Sequence, residues 1–209
     1  MREKLSPACP AHNLNLVSLI MILQKQNTIH WNYFIALEND LSFLSRFLEI
    51  TTSNFSSYSI ELGRILFAAA SEVEVVARLY CQKIDNIHVT ENIGNYKAII
   101  TKQHPDFHAI KIHMPIHGIT LNPWNKWKTE TQPLWWRAYN KAKHERNEHF
   151  AEANLKNALN ATAALHILLI LLYKKEAEAG ELIPNSQIFF IGEPFSLDVQ
   201  MSKQTRSIY

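Results

Sequence analysis

Residues 135–149 read Trp-Trp-Arg-Ala-Tyr-Asn-Lys-Ala-Lys-His-Glu-Arg-Asn-Glu-His, the densest run of chemically capable side chains in the chain. On an α-helix, positions seven apart return to one face within about 20°. Arg137 and His144 therefore share a face, Lys141 lies between them, Asn140 flanks the stripe and Tyr139 points towards the core. The rise from Arg137 to His144 is about 10 Å. These residue types suit phosphodiester chemistry. Arg137 offers a planar donor fork for phosphate oxygens. His144 can take or give a proton near neutral pH, and its place near a helix C-terminus favours the charged form. Asn140 adds a neutral hydrogen-bonding group, Lys141, Lys143 and Arg146 add cations, and Trp135 or Trp136 offers a surface on which a base can stack. The same text also fits an ordinary solvated helix face, with Lys141 and Glu145 spaced for an i,i+4 ion pair and His144 capping carbonyls.

The elements that must position this run are helical. Only five glycines occur in 209 residues, and 47% of the chain is hydrophobic in long periodic stretches, which favours helices over a turn-rich sandwich. The spacing of Trp31, Phe34, Ile35, Leu41, Leu44 and Leu48 predicts a first helix over about 30–48. A Thr/Ser/Asn loop follows, and Ser59 is placed to cap a second helix over about 60–84, with Glu61 in its first turn. There Leu62, Ile65, Leu66, Ala69, Val73, Val76 and Tyr80 make one apolar stripe. Pro133 opens a third helix running to about 146, and Asn147 is a candidate cap for a fourth over about 149–178, ended by Gly180. Between the second and third helices the text is irregular. It holds a short helix over about 92–103 and a small hairpin, with strands at 108–113 and 119–121.

The expected architecture is mainly all-α: an antiparallel bundle of about four long helices with a small β-hairpin insert. Its organisation is a poorly patterned N-terminal arm (1–28), the bundle (29–180, insert about 85–132) and a tail (181–209) whose apolar run at 188–191 adds an edge strand. Residues 14–23 are apolar, but Asn13, Asn15 and Ser18 dilute them and no small-residue cleavage site follows. An arm, or a functional start at Met21, fits better than a secretory signal. Residues 161–173 are too short to span a bilayer and read as a core helix.

Net charge is +2 with ten histidines besides, too balanced for nucleic-acid binding by bulk electrostatics, so any such binding needs a local patch. Two cysteines, Cys9 and Cys81, make no disulfide framework and point to a reducing compartment, the cytoplasm. His104, His108, His113 and His117 crowd the insert. However, no cysteine is near, and a strand would put His108 and His113 on opposite faces, so they read as solvated loop residues and no metal or cofactor is expected. Glu72 lies near the buried stripe of the second helix, where it can meet Lys143 or Arg146 as a structural ion pair or a supporting carboxylate. No phosphate-binding glycine loop, nucleophile elbow or metalloprotease helix is present.

The arrangement resembles the HEPN superfamily, whose motif is an arginine, four to six residues, and a histidine at the junction of the third and fourth helices. Arg137 and His144 have six residues between them. The wider text around Trp136, Tyr139, Asn140, Lys143, His144 and Arg146 is similar to bacterial members, as are the segments Ser71-Glu72-Val73-Glu74 and Ala153-Asn154-Leu155. The likeness covers about residues 30–175. Ala138 stands where the family often carries a polar residue, and Arg146 with His149 is an alternative pair at closer spacing. The resemblance implies a homodimer that brings two Arg/His sets into one cleft. It also implies metal-independent endoribonuclease activity in a bacterial defence or toxin–antitoxin system, with an antitoxin or nucleotidyltransferase-type protein as a further partner. Many proteins of this fold are non-catalytic, so a dimeric helical module that binds RNA or a protein partner is the alternative. No membrane association is expected.

Overall fold

The computed structural model describes residues 28–85, 92–130 and 132–192. Nearly all of the N-terminal arm, with Cys9, Met21 and the apolar stretch at 14–23, lies outside the described residues, as does the tail after Gly192.

The protein is mostly helical with a small antiparallel sheet. Three helices form the centre: α1 (Ile29–Leu44), α2 (Ile60–Asp85) and α6 (Leu155–Leu172). Helix α1 turns Trp31, Phe34, Leu37, Leu41 and Leu44 inward. In α2 every residue of the predicted stripe is buried, and the Ser59 hydroxyl accepts from Leu62 N at 3.1 Å, closing the N-terminus as expected. Helix α6 packs chiefly along α2 and is apolar nearly all round. It is long and apolar enough to cross a membrane by length and composition, but 78% of it is buried inside the protein, as a core helix requires.

The bundle departs from four long helices at its C-terminal half. Helix α4 spans only Leu134–His144, and a separate single turn, α5 (Arg146–His149), follows. The fourth long helix starts at Leu155 rather than near 149. Asn154, not Asn147, caps it by accepting from Asn157 N at 3.0 Å, while Asn147 is exposed within α5. Backbone bonds from Leu155 N to Ser57 O and from Lys156 N to Phe55 O pin this start to the α1–α2 loop. The helix breaks at Tyr173, a short α7 (Lys174–Glu178) follows, and Gly180 at φ 69° ends the run.

The insert carries α3 (Ile93–Gln103), capped by Asn92, then β1 (Ile112–Met114) and β2 (Ile119–Leu121). The first strand is shorter than predicted because residues Phe107–Ala109 make a 3₁₀ turn. The sheet has three strands in the order β2-β1-β3, since β3 (Phe190–Ile191) pairs antiparallel with β1. Glu38 of α1 holds the segment leading to β3. Its carboxylate, only 3% exposed, accepts from the Ser186 hydroxyl (2.5 Å), Gln187 N (3.0 Å) and Ile188 N (2.9 Å). Next to this anchor, His166 of α6 stacks on Phe34 at 4.9 Å and 12°. Its Nδ1 is buried with no hydrogen-bond partner, and burial pushes its pKa down to about 3.

Candidate functional site

Helix α4 presents the chemistry. Trp135, Trp136, Ala138, Tyr139 and Ala142 are its buried side, against α2 and α6. Arg137, Lys141, Lys143 and His144 are exposed, and Asn140 is half-buried at the border. Arg137, Lys141 and His144 thus occupy one solvent-facing stripe two turns long, as their spacing requires.

Each member of the stripe has a distinct setting. Arg137 Nη2 meets Glu130 Oε2 at 3.1 Å. Glu130 also takes Lys126 Nζ at 2.9 Å, and its main-chain oxygen accepts from Lys97 Nζ at 2.9 Å, so the partner of Arg137 is itself fixed. The bond from Lys126, with Arg137 beside it, holds the Glu130 carboxyl below its usual pKa. Lys141 Nζ lies 4.0 Å from Glu152 Oε1, a loose pair across the α4–α5 break, and not with Glu145 as the i,i+4 spacing suggests. Glu145 instead pairs with His149 Nε2 at 3.0 Å. Lys143 donates to the Tyr139 hydroxyl at 3.2 Å and sits over its ring, and the Arg146 guanidinium lies 4.8 Å from the Phe150 ring centre. His144 and the Asn140 carboxamide make no hydrogen bond or ion pair among the described residues.

Two expectations need correction, the stacking role of the tryptophans and the partner of Glu72, whereas Tyr139 faces the core as its position requires. Trp135 is 1% exposed and donates its indole N–H to Pro123 O at 2.9 Å, and Trp136 is 7% exposed, so neither can stack a base where it stands. They belong to an aromatic cluster in which Trp135 meets Trp124 at 5.4 Å and Trp136 at 5.6 Å. Glu72 meets neither Lys143 nor Arg146; it pairs with His30 Nδ1 of α1 at 2.5 Å. Tyr139 is buried at the core edge, where it touches Phe67 and Trp136.

Sequence reasoning missed Glu130 and Glu152, the carboxylates that face Arg137 and Lys141. A signal existed for Glu130, which is four residues from Lys126. None existed for Glu152, which reaches Lys141 only because the chain breaks at Glu145. With Glu130, Glu145, Glu148 and Glu152 set against Arg137, Lys141, Lys143 and Arg146, the face is balanced in charge. A phosphate gripped by Arg137 must displace Glu130.

The insert histidines do not converge. His104 bonds the Tyr80 hydroxyl at 2.6 Å, His108 lies 3.2 Å from Pro105 O, and His113 lies 2.9 Å from Thr120 Oγ1. Among the described residues, the metal-compatible group is Glu145, Glu148 and His149, with donor atoms within 4.8 Å of one another. It is exposed, and the Glu145–His149 ion pair accounts for its closest approach.

No protein-family model, curated protein or solved structure matches the chain.

Proposed function

We propose that this protein is a HEPN-like, metal-independent endoribonuclease that works from the exposed face of α4 in the bacterial cytoplasm, in a defence or toxin–antitoxin setting. The observation carrying the reading is the joint exposure of Arg137, Lys141 and His144 on one helical stripe, with the imidazole of His144 open to solvent. A rigid helix packed on the core holds these groups in fixed relation, which transition-state stabilisation requires.

The chemistry follows from the groups. The RNA 2′-oxygen attacks the adjacent phosphorus while a histidine takes the 2′-hydroxyl proton. The bond from phosphorus to the 5′-oxygen breaks as a second histidine protonates that oxygen, leaving a 2′,3′-cyclic phosphate and a 5′-hydroxyl. Arg137 neutralises the charge on the phosphorane once Glu130 has been displaced. A separation of about 10 Å along one helix is long for a single phosphate. A homodimer that opposes two α4 faces supplies both histidines and shortens this reach, so the partner subunit's His144 is the second acid–base group. The test is binding and cutting of mixed-sequence RNA in the presence of a chelator. His144→Ala should bind RNA and leave it intact; unchanged cutting by His144→Ala would refute the assignment.

A second reading, a non-catalytic module that docks a protein partner, is favoured by a separate observation. Phe43, Phe47 and Ile60 are 58%, 74% and 70% exposed. The Arg64–Asp40 ion pair joins the C-terminal part of α1 to the first turns of α2, so all three belong to the same end of the helix pair, where Phe43 and Phe47 meet at 5.4 Å. That reading predicts RNA uncut by the wild type and a partner lost on Phe47→Ser.

A further inference from the structure

The stripe on α4 does not stop at Arg137. Leu134, one turn earlier, continues it and is 44% exposed. Leu134 and Trp135 there form one wall of a cleft of about 180 Å³ between the N-terminus of α4, the residues after β2 and the first turns of α6. Drug-sized pockets begin at about 300 Å³, so this one suits a single ring system. Its walls combine apolar surface from Leu134, Trp135 and Pro123 with the carboxamides of Asn122, Asn157 and Asn160.

These carboxamides have unused acceptors. Asn122 Oδ1 is buried with no hydrogen-bond partner. Asn157 and Asn160 spend their Nδ2 groups on Glu152 O (2.9 Å) and Lys156 O (2.8 Å), and their Oδ1 atoms receive no donor from the described residues. A buried acceptor left empty is costly, and one beside two further carboxamide oxygens favours a ligand carrying N–H groups on a flat apolar body. Lys156 stands at the same cleft with its ammonium free of ion pairs among the described residues.

We propose that this cleft binds one unpaired nucleobase with its amine at the position where uracil carries O4, adenine or cytosine, with Lys156 at the attached phosphate. The proposal rests on the RNA reading of α4 and names the base that sets its cutting register. On binding, the Asn122 carboxamide turns its sealed Oδ1 to accept the exocyclic amine, and the second edge meets Asn157 or Asn160; asparagine pairs with adenine in this way elsewhere in nucleic-acid recognition. The ring lies against Leu134 and Pro123, as splayed-out RNA bases lie against side-chain surfaces. The cleft mouth and His144 are about 15 Å apart along α4, so a short stretch of backbone connects the bound base to the phosphate that is cut.

Titration calorimetry of the full chain with AMP, adenosine, UMP and inorganic phosphate tests this. AMP should bind at about millimolar or tighter, with adenosine weaker and UMP at least about tenfold weaker than AMP. Asn122→Leu should abolish that preference without lowering Tm, because it removes an unpaired buried acceptor. His144→Ala should leave AMP binding unchanged. Inorganic phosphate binding as well as AMP, equal affinity for UMP, or an unaltered preference in Asn122→Leu would each overturn the proposal. The two readings fail separately. RNA cut by a protein that holds no mononucleotide at about 5 mM removes the base site alone. AMP held by a protein that leaves RNA intact supports the base site and removes the cutting.

Discussion

His166 gives the protein a defined acid sensitivity. Its ring is sealed between α6 and α1, stacked on Phe34 at 4.9 Å, and burial lowers its pKa from 6.5 to about 3. The unfolded chain takes a proton at this residue below about pH 6.5, whereas the folded protein resists it until about pH 3, so stability falls as pH drops through that window. At about pH 5 the difference is roughly 1.5 pH units, or about 2 kcal/mol; below about pH 3 it approaches 5 kcal/mol. For a chain of this size, 2 kcal/mol is about 4–8 °C in Tm. His166→Phe keeps the stacked ring, fills the same space and removes both the titration and the unpaired Nδ1. Urea unfolding of both proteins at about pH 7.5 and about pH 5 isolates the effect, because every carboxylate and every other histidine is common to the two. The wild type should lose about 2 kcal/mol more than His166→Phe on acidification. Equal losses would show that His166 is not buried in its neutral form.

Other perturbations have definite outcomes. Trp135→Phe removes the indole donor to Pro123 O and should cost about 1–3 kcal/mol in urea unfolding. Glu38→Ala leaves the Gln187 and Ile188 amides without their acceptor and should cost about 3 kcal/mol. Hydrogen exchange should then show residues 182–192 losing protection ahead of the helices. RNA affinity should fall with salt at a logarithmic slope of about −3 to −4 per subunit, since the four cations of the α4–α5 face and Lys156 meet phosphates. Glu130→Gln should tighten binding at low salt by releasing Arg137 from its carboxylate, and an unchanged affinity would show that Arg137 does not meet phosphate.

The apolar periodicity of α1 and α2 was legible because burial of one face imposes the 3.6-residue repeat directly on the sequence, and Ser59 marked its helix start by the same local logic. The start of α6 was not. Asn147 and Asn154 are equally good capping residues, and the choice between them is made by the α1–α2 loop, whose Phe55 and Ser57 carbonyls take the Lys156 and Leu155 amides. That contact joins segments about a hundred residues apart and leaves no local pattern. The stripe of Arg137, Lys141 and His144 was readable from helix geometry alone. The fate of the two tryptophans was not, because a Trp beside a polar run serves equally as a stacking surface or as core. Pro123 decided it by offering Trp135 a buried carbonyl. The Asn122, Asn157 and Asn160 cleft was invisible for the same reason: its three carboxamides come from two distant segments.

The role on which the proposed reaction turns is proton transfer by the imidazole of His144. Its most direct test is mass spectrometry of the ends left when the wild type acts on a defined RNA in excess chelator. Fragments should end in 2′,3′-cyclic phosphate, paired with 5′-hydroxyl fragments, and be absent with His144→Ala. Intact RNA, 3′-hydroxyl ends, or the same fragments from His144→Ala would contradict it.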